Sequence, residues 1–204
     1  MNIMNIIKII LLGDSGVGKS RICHRYTGNK LEFNENITIG VEFNFKHYLE
    51  DDVLYNIHIW DTAGQEKFRS IIRSYYRRNN SNIIVFDITN IDSILNISLW
   101  LDDLEKNSDN KIIFLIANKI DLYTETVDTE KQIQQILLNK HIKGLYKVSA
   151  LTGENLNESL DDIIKQTIFY SDDLYEIKLN SSGSVNLLED DRNVNTNFSK
   201  KHCC

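Results

Sequence analysis

The 204 residues, 42% hydrophobic and 25% charged with a formal net charge of −6, suit one domain large enough to bury its own core, with room for an appendage. The acidic balance argues against nucleic acid as the main partner, and no apolar run reaches the ~20 residues of a membrane span. Three cysteines, two of them at the last two positions, cannot build a disulfide framework and point to a reducing compartment.

The first apolar run, Ile6 to Leu12, is short and has no small-residue cleavage site, so it reads as a buried strand and not a signal peptide. Directly after it, Gly13-Asp14-Ser15-Gly16-Val17-Gly18-Lys19-Ser20 fits G-x-x-x-x-G-K-[ST] in the context that this motif requires, a strand feeding a turn and then a helix. Glycines let backbone N–H groups from Asp14 to Arg21 crowd around phosphates. Lys19 supplies positive charge to the outer phosphates, and the Ser20 hydroxyl is a ligand for Mg²⁺. The expectation is a nucleoside triphosphate site; the alternative is a glycine-rich turn with a chance Lys-Ser pair. Cys23, inside the following helix, reads as a small packed residue.

Thr38 lies in Asn36-Ile37-Thr38-Ile39-Gly40, a polar stretch where a hydroxyl could reach Mg²⁺ beside a γ-phosphate, or simply start a strand. Runs at Gly40 to Tyr48 and Tyr55 to Trp60, joined by the acidic turn Glu50-Asp51-Asp52, predict an antiparallel edge hairpin. At its end stands Asp61-Thr62-Ala63-Gly64-Gln65. Asp61 is placed to hold a magnesium-bound water, Gly64 to let backbone approach the γ-phosphate, and Gln65 to orient the attacking water.

Further strand-like runs at Asn82 to Asp87, Lys111 to Ala117 and Leu145 to Val148 alternate with helical stretches, which predicts a mostly parallel sheet wrapped by helices. Asn118-Lys119-Ile120-Asp121 follows one of these strands. A carboxylate at Asp121 accepts two N–H bonds from the guanine edge, which adenine cannot supply. Asn118 can meet the remaining base edge, and the Lys119 stem can lie on the ring. Ser149-Ala150-Leu151, after the last strand, offers a backbone N–H to the guanine O6. A helical period at Leu156, Leu160, Ile163, Ile164 and Ile168 predicts a closing helix that ends near Tyr170, and Ser171 to Cys204 reads as a mobile tail.

With these residues in hand the chain resembles the Ras superfamily of small GTPases, and within it the Rab family, over nearly all of Lys8 to Tyr170. Ile39-Gly40-Val41-Glu42-Phe43, Ile59-Trp60-Asp61, Lys67-Phe68-Arg69-Ser70-Ile71, Tyr75-Tyr76-Arg77 and Ile84-Val85-Phe86-Asp87-Ile88-Thr89 carry that likeness, and Cys203-Cys204 is similar to a doubly prenylated Rab terminus. The resemblance implies an α/β fold: a single P-loop G domain over residues 1–170, with a six-stranded mostly parallel sheet, one antiparallel edge strand and helices on both faces, then a flexible tail over 171–204. It implies GTP/GDP and Mg²⁺ as cofactors, with Ser20, Thr38 and, through water, Asp61 around the metal and Gln65 and Lys19 in catalysis. Ile39, Phe43, Trp60 and Tyr75 would form an effector surface.

Implied partners are a guanine nucleotide exchange factor, a GTPase-activating protein, a prenyl transferase with its escort, a GDP-dissociation inhibitor, effectors, and a membrane through geranylgeranyl groups on Cys203 and Cys204. The implied location is the cytoplasmic face of intracellular membranes. Three departures stand out: Leu31 where Rabs carry an aromatic, Arg78 where they carry glycine, and Ala117 before the Asn-Lys pair. A non-cycling GTP-bound membrane scaffold and an ATP-driven P-loop enzyme are the rival readings.

Overall fold

The computed structural model describes residues 5–28, 38, 40–65, 68–77, 79–124 and 127–182. Its strands are β1 (Asn5–Leu12), β2 (Val41–Glu50), β3 (Val53–Thr62), β4 (Ser81–Asp87), β5 (Ile113–Asn118) and β6 (Ile142–Lys147). They form one sheet in the order β2-β3-β1-β4-β5-β6, in which β2 pairs antiparallel with β3 and every other pairing is parallel. The helices are α1 (Lys19–Thr27), α2 (Arg69–Arg73), α3 (Ile91–Leu95), α4 (Ile97–Asn107), α5 (Val127–Ile136) and α6 (Leu156–Ser182).

Alternation along β1 explains how the sheet acquires two covered faces. Ile7, Ile9 and Leu11 pack with Ile22, Cys23 and Tyr26 of α1 and with Leu156, Leu160, Ile163, Ile164 and Ile168 of α6. Ile10 and Leu12 point the other way, into a cluster with Ile72 of α2, Ile94 of α3, Trp100 and Leu104 of α4, and Ile133 of α5. Each fully buried side chain of this size stabilises the fold by about 1.5–3 kcal/mol. Both faces being helix-covered, the central strand β4 is buried along its whole length.

The hairpin is longer than its apolar pattern indicated. Glu50 pairs with Val53, so the loop is only Asp51-Asp52, both with positive φ (46° and 62°), which matches the twist of the flanking strands. The aspartates tolerate that conformation better than most residues. The closing helix also differs from expectation: it does not stop near Tyr170 but runs on to Ser182. No proline or glycine interrupts the segment before Gly183, so nothing in its chemistry ends the helix earlier. The rest of the expected tail, including Cys203 and Cys204, lies outside the described residues.

Every parallel strand ends on the same edge of the sheet, and the loops leaving β1, β3, β5 and β6 gather there. That convergence positions the site.

Candidate guanine-nucleotide site

The loop after β1 leads into α1 through Gly18, whose φ of 101° places it in the left-handed region, and a Cβ there would stand 2.3 Å from the Asn118 amide nitrogen. Glycine is therefore required by conformation and by space. Lys19, the first residue of α1, is buried, and its Nζ donates to the carbonyls of Gly13 and Asp14, each at 2.8 Å. An ammonium has three donors, so one remains for a phosphate oxygen. Burial lowers the Lys19 pKa to about 8, while the nearby carboxylates of Asp61 and Asp14 work in the opposite direction.

The hydroxyls of Ser20 and Thr38, 18 residues apart in sequence, meet at 2.8 Å. Beside them, Asp61 at the end of β3 is fully buried, and neither carboxylate oxygen has a partner in hydrogen-bond geometry. Burial raises its pKa, and the neighbouring Ser20 hydroxyl and Lys19 ammonium offset only part of that cost. Two hydroxyls and an unsatisfied carboxylate form a hard-oxygen donor set, which fits Mg²⁺ and suits neither zinc nor copper. The segment is fixed by an N–H bond from Ala63 to the Gly40 carbonyl at 2.8 Å, and by the Thr62 hydroxyl on the Leu11 carbonyl at 2.6 Å.

Gly64 lies against the loop itself. A Cβ on it would come within 2.3 Å of the Asp14 carbonyl carbon and the Ser15 nitrogen, so only glycine permits this approach. Gln65 follows at once, half-buried, with its carbonyl accepting the Phe68 N–H at 3.0 Å. Ser15 and Arg21 are exposed beside the loop, leaving their backbone as the part available to phosphate.

On the other side of the pocket, Asn118 binds backbone at both ends of its amide: Nδ2 donates to the Val17 carbonyl at 2.8 Å and Oδ1 accepts the Ala150 N–H at 2.9 Å. The sequence reading has Asn118 meet the base edge and the Ser149-Ala150-Leu151 turn offer the guanine O6 a backbone N–H. In the structure Asn118 and the Ala150 amide also bond each other, so Asn118 clamps two loops and keeps one Nδ2 hydrogen for a ligand. Asp121 accepts the Ser149 hydroxyl at 2.5 Å, with its second oxygen outside that bond. Lys119, at φ 69°, sends its ammonium to Asp87 Oδ2 at 2.7 Å. Burial works against charge on Asp87, but bonds from Lys119 and Thr89 outweigh it and hold its pKa below the ordinary value.

Sequence reasoning missed Asp87, which reads only as the end of an apolar strand. It also missed Asn96, at the N-cap position of α4, and Trp100 within that helix, whose side chains bind Asp14. The expected aromatic row is formed: Phe43 and Trp60 ring centroids lie 5.0 Å apart, Trp60 and Tyr75 4.9 Å apart, with Phe43 44% exposed. Ile39, Leu31 and Arg78 lie outside the described residues.

The sequence model of the Ras family matches residues 8–169. The chain is 36% identical over 163 residues to the GTP-binding protein ypt3 of Schizosaccharomyces pombe, covering 79% of this chain and 75% of that one. This protein is a Rab-family small GTPase. Identity is 34% over 162 residues to the Ras-related protein RABA1c of Arabidopsis thaliana, covering 79% and 74% of the two chains. It is again 34% over 171 residues to the Ras-related protein Rab-27B of Rattus norvegicus, covering 78% of each. As a member of this family the Rab-like chain belongs with guanine-nucleotide binders that hydrolyse GTP and work through regulators and effectors. Among the described residues no helix is long and apolar enough to cross a membrane.

Proposed function

We propose that this Rab-family protein cycles between GDP and GTP states with Mg²⁺ and regulates vesicle trafficking from the cytoplasmic face of intracellular membranes. The observation that supports it most is the meeting of the Ser20 and Thr38 hydroxyls at 2.8 Å beside the unpaired carboxylate of Asp61. Thr38 stands three residues before β2, so a cation held between it and Ser20 would tie the chain ahead of that strand to the phosphate site. That is the property a γ-phosphate sensor needs.

In this reading the amides of Asp14 to Ser20 with Arg21, and the Lys19 ammonium, hold the phosphates. Asp121 accepts from the guanine edge, the Lys119 stem lies on the ring, and the turn Ser149-Ala150-Leu151 borders O6, where the Leu151 amide is the candidate donor because that of Ala150 is bound to Asn118. Ser20 and Thr38 would hold Mg²⁺ directly and Asp61 through water. When bound, the ion neutralises charge on the β- and γ-oxygens.

Gln65 orients the attacking water, with Gly64 keeping it against the loop. No arginine in the described site is placed to supply further charge, so hydrolysis is slow until an activating protein provides it, an addition worth about 10³ to 10⁵ in rate. An exchange factor releases GDP.

Residues 1–170 are the switch and 171–204 the tether. Two lipid chains give stable anchoring where one gives only marginal binding, so geranylgeranyl groups on Cys203 and Cys204 fix the protein to membrane. A transferase with its escort adds them and a GDP-dissociation inhibitor removes the inactive form. The row of exposed Phe43 with the partly buried Trp60 and Tyr75, together with Ile39, receives effectors.

Single-turnover hydrolysis of bound GTP tests the cycle. Conversion to GDP that slows in Gln65→Leu supports it, and equal rates in the two proteins leave the scaffold reading in its place. Imaging a tagged chain with and without Cys203-Cys204 tests the tether: unchanged membrane binding after deletion removes it.

A further inference from the structure

We propose that Asn96, at the N-cap position of α4, and Trp100 within that helix are positioning residues for the phosphate loop, holding it through the Asp14 carboxylate in the shape that retains nucleotide. The inference rests on the reading of that loop as a phosphate cradle. Both oxygens of Asp14 are engaged, and by different residues: Asn96 Nδ2 donates to Oδ2 at 2.8 Å and Trp100 Nε1 to Oδ1 at 2.9 Å. These are long-range ties, spanning 82 and 86 residues. Bonds to an ionised acceptor are about twice as strong as neutral ones.

The donors are well anchored. Trp100 is 1% exposed and sits in the buried cluster with Ile97 and Leu104 of its own helix, so its indole N–H has a fixed position. Asp14 is fixed on other sides too, since its carbonyl accepts the Lys19 ammonium and Gly64 abuts its backbone. At the far end of the loop, Asn118 holds the Val17 carbonyl. Between these two ties lies Gly16, around which a Cβ would meet nothing within 4 Å. A glycine-rich loop free at either end would lose conformational entropy each time it closed around phosphate; one tied at both ends has lost it already. The α4 clamp thus slows nucleotide release, and motion of α4 would speed it.

The test is release of radiolabelled GDP from the full chain in Mg²⁺ and excess unlabelled GDP, with the thermal midpoint measured alongside. A charge-assisted bond of this kind corresponds to about tenfold. Asn96→Ala and Trp100→Phe, the second removing only the indole N–H and some ring, should each release GDP about 5- to 10-fold faster. Asp14→Ala should be at least as fast, and Asp14→Ala combined with Trp100→Phe no faster than Asp14→Ala alone, because the two share one interaction.

Release within twofold of the parent in Asn96→Ala and Asp14→Ala overturns the inference, whether or not the thermal midpoint falls; a fall alone marks the bonds as structural only. Multiplying effects in the double variant overturn it as well. Should Trp100→Phe not fold, Asn96→Ala decides, since that side chain is only half-buried. A parent chain that retains no labelled GDP defeats the cradle reading itself, a result distinct from retained nucleotide with unchanged release.

Discussion

The two sides of the pocket are built on different terms. On the base side the polar groups bond one another: Asn118 to Val17 and Ala150, Asp121 to Ser149, Lys119 to Asp87. On the phosphate side, Asp61 is buried with both oxygens unpaired, and Lys19 is buried with its pKa lowered to about 8. The first arrangement is a mould that exists before its ligand. The second carries an electrostatic cost that only a cation and an anion together would relieve. Affinity for the base should therefore respond to hydrogen-bond pattern, and affinity for the phosphates to charge.

Lys19→Ala removes charge-assisted bonds worth roughly 4 kcal/mol in all, so GDP affinity by titration calorimetry should fall about 1,000-fold. Asp121→Asn replaces an acceptor by a donor and leaves the base edge mismatched: GDP affinity should fall about 100-fold, with a base that carries a carbonyl in place of the guanine amine favoured over guanine. An Asp121→Asn protein that still prefers GDP by the same margin would remove the base-edge assignment. Gln65→Leu should slow single-turnover hydrolysis about tenfold while GDP affinity stays within twofold, because the water is misplaced and the pocket is not.

The smallest effect is that of pH. Bound phosphate favours the protonated ammonium, so affinity is full below the pKa of about 8 that Lys19 has without nucleotide and declines as pH rises through it. Between pH 7.5 and 9 the loss should be about 5- to 10-fold, and Lys19→Arg, charged throughout, should show none. Without nucleotide the sign reverses for folding. Between about 8 and the ordinary value of 10.5 the unfolded chain binds the proton that the folded chain has lost, so stability rises with pH in that window.

How much of this was legible in the sequence follows from the range of each interaction. The P-loop is local, its chemistry carried by eight consecutive residues, and its strand–loop–helix setting was legible with it. The helix-period stripe from Leu156 to Ile168 was legible for the same reason, and all five of its apolar residues are buried. What was not legible depends on meetings across the fold. Asp87 and Lys119 are brought together by the pairing of β4 with β5, and Asp14 meets Trp100 only because α4 packs over the sheet beside the loop. Nothing in a Trp on a helix stripe, or in a strand-end Asp, signals its partner 86 or 32 residues away. The backbone bonds of Asn118 were illegible for a related reason: its residue type suits a base edge, and nothing local shows that Val17 and Ala150 lie within its reach.

If the site is moulded for guanine and charged for phosphate, the purified protein should carry its nucleotide with it. Protein purified without added nucleotide, denatured and passed over an anion-exchange column, tests it directly. GDP and GTP should appear in nearly stoichiometric amount with no adenine nucleotide; adenine nucleotides, or an empty site, would contradict this.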